Sequence, residues 1–382
     1  MKYTFCVTQQ CTLRCQYCYV GKKDAIMPLS IAEKIIDFMF QYTPGEDKIE
    51  VGFFGGEPLL EFGLIKEITH AIEDHASYSD RHVELAVVTN GTIYSEEIAD
   101  FLNEHKITFC LSCDGPPLVQ DMFRCFPNGR GSSDMVEQTL TRASESFNCV
   151  LVNAVYHPRT FEYLPQVVNY FSTHGLRQIY LNADYTAPWT ERDARMLPQV
   201  YRQVADLYVD YRLAGNSHFI SLIDGKIALI LRGGYKPLER CRMGKGEFAF
   251  TPSGNIYPCE RLIGSDSGGE HCIGNINEGL KIDRMMCKIA PSQELNTECL
   301  SCSLRDYCMN WCGCTNYFIS GYYNRVGPFL CASERAAINV AFDVYQRLEK
   351  ELGPTFMDHL CGRPEMSAIE RGEGRTNRSL PS

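Results

Sequence analysis

The chain has 382 residues, of which 45% are hydrophobic and 22% charged, so it contains enough apolar material for a large buried core. This length exceeds that of one ordinary compact domain, and we expect two domains. A formal charge of −10 makes the surface repel phosphate, which argues against nucleic acid as a partner. The chain shows neither the apolar segment of a signal peptide nor a run of about 18 apolar residues, so we expect a cytoplasmic protein with no membrane partner.

Six apolar runs of strand length recur in the first half of the chain, with helix-length patterns such as Leu29–Tyr42 between them. The runs are residues 2–7, 49–56, 82–91, 107–115, 149–157 and 177–184. Strands that alternate with helices imply a parallel sheet with right-handed crossovers. The sequence therefore predicts an α/β fold, a partial (β/α)6 barrel of the TIM type, whose functional groups lie at the carboxyl ends of the strands.

The pattern changes after the sixth run, and a stretch rich in Gly, Pro and Cys extends from Cys241 to Cys331. A last helix is expected to start at the N-cap Ser333 and to stop at Gly353. The predicted divisions are a barrel in residues 1–205, a bridging segment in 206–240, a Cys-rich module in 241–331, a C-terminal helix in 332–361 and a flexible tail in 362–382.

Clustered cysteines are the strongest functional signal. There are 19 cysteines, an odd number whose clustered spacing indicates metal or cluster ligands rather than disulfides. Cys11, Cys15 and Cys18 share one short segment, with no fourth ligand close by except Cys6, which is expected to point into the core. Three thiolates fit a [4Fe–4S] cluster with one open iron, and the alternative is a three-cysteine zinc loop.

The spacing C-x-x-x-C-x-x-C, with Tyr17 before the last cysteine, resembles the signature of the radical SAM superfamily. The resemblance implies that the open iron binds S-adenosylmethionine and that the reduced cluster cleaves it to methionine and a 5′-deoxyadenosyl radical. It further implies a substrate that loses a hydrogen atom and a low-potential electron donor such as flavodoxin or ferredoxin.

Residues 53–60, "FFGGEPLL", resemble the GGEP segment of that family, whose edge receives the amino group of S-adenosylmethionine. Gly55 and Gly56 allow a close backbone approach, Glu57 offers a carboxylate to the ammonium, and Pro58 completes the motif. The alternative is an ordinary strand-to-helix turn.

Polar residues at the ends of later strands are further candidates for contacts with S-adenosylmethionine. Ser112 and Asn153 are preferred, while Asn90, Asp114 and Asn182 are weaker candidates. Turn formation is the alternative role for all of them.

The order of the later cysteines resembles the SPASM domain, which carries two auxiliary [4Fe–4S] clusters; taken by itself, the C-x-x-C pair and its followers also suit one zinc ion. The resemblance implies that the ligands of the first auxiliary cluster are Cys241, Cys259 and Cys312. It implies that the ligands of the second auxiliary cluster are Cys299, Cys302, Cys308 and Cys331.

One position departs from the family pattern. Members that fully ligate the first auxiliary cluster have a cysteine six residues after the first one, where this chain has Glu247. An open iron is therefore expected in that cluster, unless Cys314, Cys272 or Cys287 completes it.

The resemblance implies a peptide maturase that modifies a ribosomally made, Cys-containing substrate through thioether or carbon–carbon bonds. The first alternative is an anaerobic sulfatase-maturating enzyme, which oxidises a Cys or Ser to formylglycine; its general base is an Asp where this chain has Glu260. A non-catalytic, multi-cluster electron carrier or scaffold is the second alternative. Because the chain starts on the first predicted strand, we expect a separate protein, or the barrel and module themselves, to recognise any leader peptide.

Overall fold

The computed structural model describes residues 1–45, 47–236, 240–241, 243–281, 283, 296–353 and 356, and they form two compact units. The first unit comprises Met1–Asn153, His174–Leu176 and Cys241–Pro291. The second comprises Ala154–Thr173, Arg177–Arg240 and Ser292–Ser382. The predicted tail, 362–382, lies outside the described residues.

All six predicted strands are present, which confirms the α/β fold. They are β1 (Lys2–Thr8), β2 (Ile49–Gly55), β3 (Val83–Thr89), β4 (Thr108–Ser112), β5 (Leu151–Tyr156) and β6 (Gln178–Ala183). The helices between and after them are α1 (Leu29–Tyr42), α2 (Phe62–Glu73), α3 (Glu96–Glu104), α4 (Pro117–Phe123), α5 (Ser133–Ser146) and α6 (Leu164–Thr173). Strands β1 to β5 pair in parallel, each with the next, as strands joined by helical crossovers do.

Four later strands extend the sheet of the first unit. They are β8 (Glu247–Phe250), β9 (Asn255–Tyr257), β10 (Gly274–Asn275) and β11 (Gly279–Leu280). Strand β8 runs parallel to β1, and its Phe248 and Phe250 pack with Tyr3 against Phe38 of α1. Strands β8 to β11 therefore belong with the barrel strands, because β8 shares this aromatic core. The two compact units divide the predicted module 241–331 between them, and the predicted domain divisions stay a prediction.

The second unit is mainly helical. Besides β6, it contains β7 (Phe219–Ile220), α7 (Glu191–Leu213), α8 (Ser221–Arg232), α9 (Thr297–Leu300), α10 (Gly313–Ser320) and α11 (Pro328–Leu352). Helix α7 continues through residue 205, the predicted end of the barrel. Helix α11 ends before Gly353 as predicted but begins at Pro328, not near Ser333, because Pro suits the first helical position. In the described parts of both units, no helix combines the length and apolarity that crossing a membrane requires.

Candidate functional site

Strand β1 leads directly into the loop of Cys11, Cys15 and Cys18, and the GGEP segment fixes this transition. The backbone N–H of Gly56 donates to the carbonyl of Thr8 at 2.8 Å, and that of Glu57 to the carbonyl of Gln10 at 2.8 Å. A Cβ atom on Gly56 would lie 1.8 Å from the Gln10 oxygen, and one on Gly55 would lie 2.1 Å from the Thr8 oxygen. The two glycines are therefore required by the chain's own loop, whatever ligand lies beyond it.

The carboxylate of Glu57 bonds within the protein, and its predicted contact with the ammonium of S-adenosylmethionine stays a prediction. Glu57 is fully buried. Its Oε1 accepts hydrogen bonds from Leu59 N–H at 3.1 Å and from the Thr89 hydroxyl at 2.8 Å, and its Oε2 accepts one from Asn90 N–H at 2.7 Å. The carboxylate thus joins the ends of β2 and β3. Pro58 is also buried and starts a short 3-10 helix, Pro58–Glu61.

Cys11 accepts two N–H contacts on its sulfur. The donors are the backbone of Leu13 at 3.4 Å and the side-chain amide of Asn90 at 3.5 Å. Burial raises the pKa of Cys11, while Lys22 lowers it. Donors of this kind stabilise the thiolate form that a metal ligand needs.

Cys15 and Cys18 lie on a turn that is held against residues 123–125. Arg14 N–H donates to the carbonyl of Cys125 at 2.7 Å, and Gln16 N–H to that of Phe123 at 3.1 Å. Burial raises the pKa of Cys15 to about 11, and nearby Arg124 opposes this shift.

Tyr17 is anchored by a buried ion pair. Its hydroxyl donates to Asp114 Oδ2, and its ring packs on Phe123 at 5.9 Å and beneath the Arg124 guanidinium at 5.3 Å. Arg124 Nε lies 3.0 Å from Asp114 Oδ1, and both side chains are buried. Tyr17 therefore positions the cysteine turn, and a direct role in cofactor binding stays a prediction. Residue spacing gave no sign of Arg124, which directly follows α4.

The donor set of this loop fits a [4Fe–4S] cluster. The electrostatic effect of Cys18 contributes to the raised pKa values of both Cys11 and Cys15, so the three thiols lie in one neighbourhood. Among the described residues, no three His, Cys, Asp or Glu side chains are grouped closely enough for a single metal ion. A cubane demands a wider arrangement, because each thiolate binds a different iron.

Ser112 and Asn153 are brought together at the ends of β4 and β5. They are direct partners in the parallel register, and Cys113 N–H donates to the carbonyl of Asn153 at 3.1 Å. Both side chains are half-buried on one face of the sheet. Their contact with S-adenosylmethionine stays a prediction.

Glu260 lies against the sheet face that α1 does not cover, which is the inner face of a barrel. Its Oε2 accepts hydrogen bonds from Lys2 Nζ at 2.8 Å and from Thr4 Oγ1 at 3.0 Å. Tyr3, between them, faces α1, so Lys2 and Thr4 face inward. Burial would raise the pKa of Glu260, but Lys2, Thr4 and Arg261 together outweigh it and the pKa is lowered. Glu260 is therefore a carboxylate.

Two neighbours connect Glu260 to predicted cofactor ligands. Tyr19, which follows Cys18, stacks on Phe54 at 6.1 Å, and its pKa is raised by burial and then by Glu260. Glu247 lies 3.4 Å from Lys2 Nζ and accepts a hydrogen bond from the Cys259 thiol. The sequence did not reveal Lys2, Thr4 or Tyr19; the only available signal was the alternation of residues along β1.

The spare cysteines differ in their surroundings. Cys272 is buried with Cys6 and donates to the Gly274 carbonyl at 3.1 Å, so it behaves as a core residue and the prediction that it completes a cluster is not supported. Cys314 Sγ lies 3.7 Å from Cys312 Sγ. Cys287 lies outside the described residues. The predicted set of Cys241, Cys259 and Cys312 draws on both units and stays a prediction.

The second unit contains a small, partly open cavity. Four of the predicted ligands line it: Cys299, Cys302, Cys308 and Cys331. Burial raises the pKa of Cys299, with further contributions from Cys331 and Cys302. The fold thus gathers four thiols from a stretch of more than thirty residues around one space. A buried ion pair, Lys226 with Glu334 at 2.6 Å, borders the cavity through Glu334.

Comparisons with known proteins agree with this site. Residues 5–171 match the radical SAM superfamily. The radical SAM cyclopropyl synthase TigE of Paramaledivibacter caminithermalis is 25% identical over 337 residues, which are 80% of this chain and 66% of TigE. A cysteine-type anaerobic sulfatase-maturating enzyme of Clostridium novyi is 24% identical over 294 residues, which are 71% of this chain and 75% of that enzyme.

The solved structure of native anSMEcpe with bound AdoMet and the Cp18Cys peptide has the same fold. Its TM-score is 0.77 at 20% identity, with 92% of this chain and 99% of that chain covered. The match to the superfamily begins within β1 and includes the three-cysteine loop, and it implies S-adenosylmethionine and a [4Fe–4S] cluster as cofactors. The chain contains a radical SAM domain and is a radical SAM enzyme related both to peptide modifiers and to anaerobic sulfatase-maturating enzymes.

Proposed function

We propose that this enzyme matures a ribosomally made, Cys-containing peptide by forming a thioether or carbon–carbon bond. The observation that carries the proposal is the position of Glu260. It is an ionised carboxylate on the inner side of β1, the strand that continues into the three-cysteine loop. A base at this place can take a proton from a substrate thiol, a step that bond formation requires.

The reaction removes two hydrogens from the substrate. The bound cofactors supply abstraction of one hydrogen atom and an acceptor for the one electron that bond closure releases. Glu260 takes the second hydrogen as a proton, while Lys2 holds the carboxylate ionised and in place.

The cofactor ligands are assigned by the same proposal. The cluster that binds S-adenosylmethionine is held by Cys11, Cys15 and Cys18. S-adenosylmethionine itself contacts the backbone at Gly55 and Gly56 and the side chains of Ser112 and Asn153. The second auxiliary cluster takes the four thiols of the cavity in the second unit. The first auxiliary cluster takes Cys241, Cys259 and Cys312.

A peptide substrate is supported by the relatives, since anSMEcpe is seen with a Cys peptide. A second candidate function is formylglycine formation, in which Glu260, directly after Cys259, would be the base although the family has an Asp at this position. Both reactions need a base at this position, so only identification of the product can distinguish them. A flavodoxin or ferredoxin donor and a separate leader-binding protein complete the proposal.

The test uses anaerobically reconstituted enzyme, a reductant, S-adenosylmethionine and candidate Cys-containing peptides. A crosslinked product is lighter by two hydrogen atoms, and fragmentation locates the bond. A formylglycine product reacts with a hydrazide instead. Wild-type enzyme that makes no 5′-deoxyadenosine would contradict both functions and favour an electron carrier.

Variants distinguish the loss of the base from the loss of the cofactor site. Cys18→Ala is expected to abolish both 5′-deoxyadenosine and product. Glu260→Gln is expected to keep 5′-deoxyadenosine formation and to lose product. Glu84→Gln, at an exposed ion pair with Lys48, is the matched control and is expected to behave as wild type. Full product formation by Glu260→Gln would show that another group is the base.

A further inference from the structure

The side-chain amide of Asn90 is aimed at the sulfur of Cys11. Asn90 follows β3 and is buried. Its Nδ2 lies 3.5 Å from Cys11 Sγ and 3.0 Å from Thr12 Oγ1. An amide NH2 group has two hydrogens, one for each of these acceptors.

The orientation of this amide is determined by its other end. Asn90 Oδ1 accepts a hydrogen bond from the backbone N–H of Thr92 at 2.9 Å and one from the Thr92 hydroxyl at 2.7 Å. A backbone N–H can only donate, so the atom that faces it is the oxygen and the NH2 group faces Cys11. All hydrogen-bonding positions of the amide are then used within the protein, which leaves no edge for a ligand.

The backbone of Asn90 is fixed as firmly as its side chain. Its N–H donates to Glu57 Oε2 at 2.7 Å, and Glu57 is itself held by Leu59 and Thr89. This chain of contacts gives the buried carboxylate of the GGEP segment a role. It holds the donor that faces a cluster ligand.

We propose that Asn90 is a positioning residue that raises the reduction potential of the cluster held by Cys11, Cys15 and Cys18. The inference rests on that cofactor assignment. A hydrogen bond to a ligating sulfur disperses negative charge, and the reduced cluster carries one negative charge more than the oxidised one. The amide therefore favours the reduced state, from which S-adenosylmethionine is cleaved.

The test is a redox titration followed by electron paramagnetic resonance on reconstituted full-length enzyme without substrate. Asn90→Leu keeps the size of the side chain and removes the donor. At a fixed potential, the ratio of reduced to oxidised cluster is expected to fall about tenfold, which corresponds to about 59 mV for a one-electron couple. Asn90→Asp replaces the donor with a carboxylate and is expected to lower the ratio further.

Thr92→Val is the matched control, because it removes a hydroxyl from the same network but leaves the backbone N–H that orients the amide. Its potential is expected to equal that of wild type. If Asn90→Leu retains the cluster and its potential also equals that of wild type, the inference is wrong.

A second measurement needs no variant. Wild-type enzyme labelled with 15N at asparagine is expected to show a nitrogen coupling in electron–nuclear double resonance of the reduced cluster. Absence of that coupling overturns the inference even if Asn90→Leu fails to fold. Wild-type enzyme that forms no cubane at all overturns the cofactor assignment, and the inference falls with it.

Discussion

The buried carboxylate of Glu57 allows a sharp prediction for Glu57→Gln. Its two oxygens accept three hydrogen bonds, from the N–H groups of Leu59 and Asn90 and from the Thr89 hydroxyl. A glutamine can present its oxygen to one side only. Its NH2 group then faces the N–H of Asn90, which loses its acceptor. Leaving a buried donor unsatisfied costs about 1–3 kcal/mol, so we expect the variant to be about 2 kcal/mol less stable at low pH.

The deficit should depend on pH. Burial raises the pKa of Glu57 from 4.5 to about 7, against three donors that lower it. Between these values the folded wild type holds a proton that the unfolded chain releases, so the stability of the wild type is full below pH 4.5 and falls as the pH rises to 7. The loss is about 3 kcal/mol, because each pKa unit corresponds to about 1.4 kcal/mol. Glutamine does not titrate, so the deficit is expected to reverse above pH 7, where the variant should be about 1 kcal/mol more stable than the wild type.

Urea unfolding of the reduced apo-protein by far-ultraviolet circular dichroism, near both ends of this pH range, measures the effect. Hydrogen exchange of the segment Leu85–Thr92 shows whether the change is local to the Asn90 amide. Glu104→Gln, at an exposed position, is the matched control and should show neither effect. A deficit of equal size at both pH values would refute the raised pKa. The absence of any deficit at low pH would refute the hydrogen-bond argument.

Three further substitutions probe the loop and the base. Gly56→Ala is expected to prevent cluster incorporation, measured as bound iron, because the Cβ would lie 1.8 Å from a loop carbonyl; Gly63→Ala, with nothing within 4 Å, should keep all iron. Lys2→Met is expected to move the acid limb of the pH profile of product formation to higher pH, because the pKa of Glu260 rises without the ammonium of Lys2. If the acid limb does not move, Glu260 is not the base. Arg124→Met should lower the free energy of unfolding by about 3–5 kcal/mol, because it leaves the buried carboxylate of Asp114 unpaired. The additional substitution Asp114→Asn should restore part of this loss.

Features that depend on neighbours in sequence could be predicted from the sequence alone. The six strands follow from apolar runs between helical patterns, and the end of α11 follows from Gly353 after the last helical turn. The spacing of Cys11, Cys15 and Cys18 already indicated a three-thiolate loop, because such ligands lie on one short segment whatever surrounds it.

Only the tertiary structure decided what surrounds these local features. Strands β8 to β11 join the first unit because β8 pairs with β1, and no local signal reports a parallel pairing between distant segments. Lys2 and Glu260, which are 258 residues apart, meet for the same reason. Glu57 turns inward because three donors converge on it from β3 and the helix start, so the role of its carboxylate depends on partners that the motif does not contain. Hydrogen bonds and charges act over a few ångströms, and only the fold determines which groups come that close.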